Sequence, residues 1–113
     1  MKYKELILRA DLPEQINTEL LFEIASARAE GTELICINIF NEEKKYSFPQ
    51  KQRSVLIKLI KNLKAEGRIQ LFATSDSFRN QTTESYFLQN KYPEIFDSAS
   101  KRYLNENAVY IKL

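Results

Sequence analysis

Apolar residues fall into short continuous runs, separated by longer segments where they recur every three or four positions. Residues 3–9 (YKELILR) place Leu6, Ile7 and Leu8 in succession, as in a strand covered on both faces. Asp11 then precedes Pro13 and Glu14, a capping-box arrangement with proline in a first helical turn. Ile16, Leu20, Ile24 and Ala27 follow at helical spacing, and Gly31 stands where the helix must end. Residues 34–39 (LICINI) read as a second buried strand, giving way abruptly to Asn41, Glu42, Glu43, Lys44 and Lys45. Ser47 and Gln50 form a further capping box around Pro49. Val55, Leu56, Leu59, Ile60 and Leu63 are then the apolar stripe of a second helix, which Gly67 closes with Lys64 in its last turn.

Ile69, Leu71 and Phe72 predict a third strand, followed by a polar loop at Thr74, Ser75, Asp76 and Ser77. Thr82 and Thr83 are candidate caps for a short third helix through Tyr86, Phe87 and Leu88, which must stop near Pro93. Residues 97–104 add a turn or two of helix, residues 105–107 a turn, and residues 108–113 a last strand. The order is βαβαβ(α)β. It predicts one α/β domain over residues 1–113, a two-layer or three-layer sandwich on a mostly parallel sheet. The last strand could run parallel or antiparallel to the others; an antiparallel strand at an edge is the preferred placement.

Composition sharpens this picture mainly by exclusion. The chain has 113 residues, enough for a single core. Histidine is absent, which removes a histidine general base, a Ser-His-Asp triad and any Cys/His zinc site. Gly31 and Gly67 are the only glycines, so there is no Gly-rich phosphate loop. Cys36 is the only cysteine and reads as a core residue; with no internal disulfide possible, a cytoplasmic location is expected. No apolar run reaches the length of a membrane span, and the first ten residues turn polar too soon for a signal peptide. Net charge is +2, from 17 basic and 15 acidic residues, so any nucleic-acid contact must come from where the cations sit.

Three constellations could carry function. Ligands of open α/β sheets bind beyond the carboxyl ends of the strands, where Asp11, Glu42 and Asp76 could share a magnesium ion for phosphodiester chemistry. The competing reading has Asp11 capping a helix, Glu42 solvating a loop and Asp76 serving a turn. On the second helix, Lys51, Ser54, Lys58 and Lys61 lie opposite the apolar stripe, with Lys44, Lys45 and Arg53 nearby. Such a row can track DNA or RNA phosphates, or can simply be a solvated face. Tyr86, Phe87, Tyr92, Phe96 and Tyr103 could stack on unpaired bases or fill the core.

The second half also resembles a variant of the Smr (small MutS-related) domain family. The matching features are Gly67 followed by Arg68 and Ile69, a loop ending at Phe78, Asn80 with Thr83, Pro93 with Glu94, and Asn107 ahead of the strand from Val109 to Leu113. The first half fits in order. Smr domains carry an Asp-Leu-His-Gly-like motif after the first strand and a His-Gly-x-Gly motif after the second. Here those regions read LRADLPE and INIFNEEKK, with neither His nor Gly. The resemblance implies an Smr-like fold and a nucleic-acid-binding surface. It does not imply the nuclease, and no catalytic residue carries over. Two alternatives stand beside this one: a module pairing with itself or another protein through an exposed last strand, and the magnesium-dependent phosphodiesterase.

Overall fold

The computed structural model describes residues 3–8, 13–39, 50–97 and 108–113, with the side chains of residues 13, 39 and 50–52 excepted. Its elements run β1 (Tyr3–Leu8), α1 (Pro13–Ala29), β2 (Leu34–Ile39), α2 (Gln50–Ala65), β3 (Leu71–Thr74), α3 (Ser75–Arg79), α4 (Thr83–Lys91) and β4 (Ala108–Lys112). They form an α/β domain on one four-stranded mixed sheet, in the order β1-β2-β4-β3.

Two expectations about the sheet are corrected. β4 takes the antiparallel one of the two open orientations, but it lies between β2 and β3, paired on both sides, and not at an edge. Every residue of Ala108–Lys112 is buried, because four of the five are apolar and both sheet faces above them are covered. A last strand in that position offers no free edge, so it cannot pair with a further chain. The sheet is also not mostly parallel by pairing. Only β1 and β2 pair in parallel, while β2–β4 and β3–β4 are antiparallel. The helical crossovers do run β1, β2 and β3 the same way; β4 then inserts against them.

Alternation along the strands sorts the core into two layers, making the sandwich three-layered. Leu6, Leu8, Ile35, Ile37, Val109 and Ile111 face Ile16, Leu20 and Ile24 of α1 and Leu56, Ile60 and Leu63 of α2. Leu34, Cys36, Ala73, Ala108 and Tyr110 face Phe78 of α3 and Leu88 of α4, with Tyr92 and Phe96 beyond it. Phe78, Phe96 and Tyr110 form an aromatic cluster there, with ring centroids 5.2, 4.8 and 5.8 Å apart.

The glycine stops act as their positions suggest. Gly31 has φ +77° and Gly67 φ +73°. Thr32 N–H reaches Ala27 O and Arg68 N–H reaches Leu63 O, both at 2.9 Å, closing each helix in a Schellman motif. Thr82 caps α4, its hydroxyl accepting from Ser85 N–H at 3.3 Å. The segment read as a polar loop is instead a helix from Ser75 to Arg79. Thr74 N–H donates to Ser77 Oγ at 3.1 Å, and Phe78 anchors that short helix in the second core layer. The expected caps at Asp11 and at Ser47 lie outside the described residues, as does the expected helical turn beyond residue 97. Among the described residues no helix is long and apolar enough to cross a membrane.

Candidate functional site

The carboxyl ends of β1, β2 and β3 share one edge of the sheet, because β3 and β2 run alike on either side of β4. Asp11 and Glu42 of the proposed magnesium site, and Lys44 and Lys45 of the basic set, lie outside the described residues. Asp76 is described at that edge. Its carboxylate is exposed and lies 3.5 Å from the Arg79 guanidinium, one helical turn on. Among the described residues no three His, Cys, Asp or Glu side chains are grouped to hold a metal ion. Ser75, beside Asp76, is buried, and its hydroxyl has no hydrogen-bond partner among the described residues.

The basic set on α2 is clearer. The helix reads QKQRSVLIKLIKNLKA, carrying Lys51, Arg53, Lys58, Lys61 and Lys64 with no carboxylate. Leu56, Ile60 and Leu63 are buried in the layer beneath it, which turns Ser54, Lys58 and Lys61 outward. Arg53 is half-buried at the start of that face. Lys58 and Lys61 form no ion pair among the described residues. Lys64, the cation of the last turn of α2, points toward β3. Its ammonium is 3.6 Å from Glu84 of α4 and 5.9 Å from the centre of the Phe72 ring.

Helix α1 shares the layer and has the opposite character. Glu14, Glu19 and Glu23 lie on it, and Glu14, Gln15, Thr18, Glu19 and Phe22 line a depression open to solvent. The two helices of this layer therefore present surfaces of opposite charge side by side.

The aromatic set divides by burial. Tyr92 and Phe96 are core, while Tyr86 is 49% exposed and Phe87 39%. Tyr103 lies outside the described residues. Tyr92 reaches the far edge of the sheet, where its hydroxyl donates to Glu33 Oε1 at 3.4 Å. Burial first, then the negative charge of Glu33, pushes its pKa up to about 12 from 10.0. Lys112, buried nearby, is pushed the other way, first by burial and then by Lys91, with Glu33 opposing.

These shifts predict an alkaline loss of stability. Between pH 10 and about 12 the folded chain keeps a proton on Tyr92 that the unfolded chain releases. Stability is therefore full below pH 10 and falls as pH rises toward 12. Lys112 acts oppositely: its contribution grows with pH up to its ordinary value of 10.5 and is flat above. Tyr3, also raised by burial, adds to the fall. Urea midpoints across this range should drop more steeply for the wild type than for Tyr92→Phe. Parallel curves would rule out a Tyr92 contribution.

No family model, curated protein or solved structure matches this chain.

Proposed function

We propose that the chain is a divergent Smr-like domain that binds nucleic acid in the cytoplasm without cleaving it, with α2 as its phosphate-tracking face. The observation that carries this reading is the charge of α2: about four turns carrying five cations and no carboxylate, with Lys58 and Lys61 exposed. Lysines placed this way gain affinity by releasing counterions condensed on a phosphate backbone. The acidic surface of α1 confines the strand to the α2 side. Lack of histidine supports binding over cleavage, since both signature motifs of the resembled family depend on it.

The test is a salt titration with a labelled oligonucleotide. Affinity should fall with salt, with a slope of log K against log salt of about −2 to −3 for a single strand, roughly −0.7 for each phosphate contact. No binding at the lowest salt would remove the reading.

A further inference from the structure

The lysine row does not stop at the end of α2. Lys61 and Lys64 are one helical turn apart, and Lys64 is bridged to Glu84 of α4 at 3.6 Å. That bridge passes the edge strand β3, which α2 covers on one face and α4 on the other. Along α4, Glu84, Phe87 and Lys91 follow at three- and four-residue spacing and share one exposed stripe. Tyr86 is tied down: its hydroxyl donates to Gln81 Oε1 at 3.0 Å. Phe87 has no polar handle, and its ring sits at the surface with the Lys91 ammonium 5.7 Å from its centre.

We propose that Phe87 is a stacking platform for an unpaired base, on a single-stranded nucleic acid whose backbone runs from Lys58 and Lys61 past Lys64 to Lys91. This inference rests on the α2 reading and adds the class of ligand. The chemistry selects a single strand. Only there does each nucleotide present a free aromatic face together with a phosphate, and an exposed ring beside the Lys91 ammonium meets both. A duplex keeps its base faces inside its own stack and offers α2 phosphates alone. Glu84, the carboxylate on this path, is already neutralised by Lys64.

The experiment compares wild type, Phe87→Ala and Phe87→Trp by fluorescence anisotropy, using a labelled oligothymidylate of roughly 20 nucleotides and a duplex of equal length. Phe87 is partly exposed, so the variants should keep the wild-type melting curve, which serves as the folding control. Phe87→Ala is expected to weaken single-strand binding about tenfold and leave duplex binding unchanged. Phe87→Trp should restore it. The chain has no tryptophan, so the emission of this variant reports locally and should be quenched by unlabelled strand. Equal single-strand affinity for wild type and Phe87→Ala, or unquenched emission at saturation, overturns the stacking site and leaves the α2 reading standing. Failure of the wild type to bind either form overturns both.

Discussion

Reversing two charges, Lys58→Glu with Lys61→Glu, should weaken nucleic-acid binding about 100-fold at moderate salt. A lysine in contact with a phosphate gains about 1 kcal/mol at water-like dielectric, and a glutamate there suffers a similar repulsion. Each reversal thus costs about 2 kcal/mol before screening, and salt trims the pair to roughly 3 kcal/mol. Fold should be preserved, since both side chains are exposed and lie opposite the buried stripe of Leu56, Ile60 and Leu63. Arg28→Glu supplies the control. It changes net charge as much as one lysine reversal but sits in the last turn of α1, outside the α2 row. Anisotropy titrations should show less than about a threefold loss for that variant. A loss matching that of Lys61→Glu would mean that overall charge, and not the α2 face, governs binding.

The second large effect concerns the sheet. Ile111→Ala should lower unfolding free energy by about 3 kcal/mol, a large share of the roughly 5–15 kcal/mol typical of a domain. Ile111 is fully buried in β4, opposite Ile35 of β2 and Phe72 of β3, beneath the α1–α2 layer. Removing its three outer carbons leaves a cavity that two neighbouring strands and a helical layer cannot easily close. Ile7→Ala in the edge strand β1 is the counterpart. Its side chain is exposed, so the loss should stay within about 0.5 kcal/mol. Urea denaturation measures both. Equal, small losses would place β4 at an edge after all.

These two residues also show what could be read from the chain before its fold. Helix ends were legible because their causes are local. Gly31 and Gly67 adopt a backbone conformation that other residues resist, and Thr82 offers its hydroxyl to the first turn of α4. Lys58 and Lys61 were legible as a surface row because the apolar stripe opposite them fixes which way α2 turns. The position of β4 was not, since strand order depends on pairings between residues far apart in sequence. The continuous apolarity of Ala108 to Ile111 was the available clue, being the mark of a strand covered on both faces.

Short α3 escaped notice for a different reason. Thr74, Ser75, Asp76 and Ser77 are all polar; the turn is held as helix by the Thr74–Ser77 cap and by Phe78, which reaches the second core layer. The exposure of Phe87 could have been anticipated. Tyr86, Phe87 and Leu88 are consecutive, and successive helical residues point about 100° apart, so the three cannot all face the sheet. Leu88 takes the buried direction and leaves Tyr86 and Phe87 outside. The link from Lys64 to Glu84 had no sequence signal, because it depends on α2 and α4 flanking the same edge strand.

The most direct measurement is the salt slope of single-strand binding for wild type beside a Lys58→Gln, Lys61→Gln variant. If both lysines contact phosphates, removing them withdraws two counterion-releasing contacts, and the slope should shrink by about 1.4. An unchanged slope would contradict α2 as the binding face, even if the variant bound more weakly.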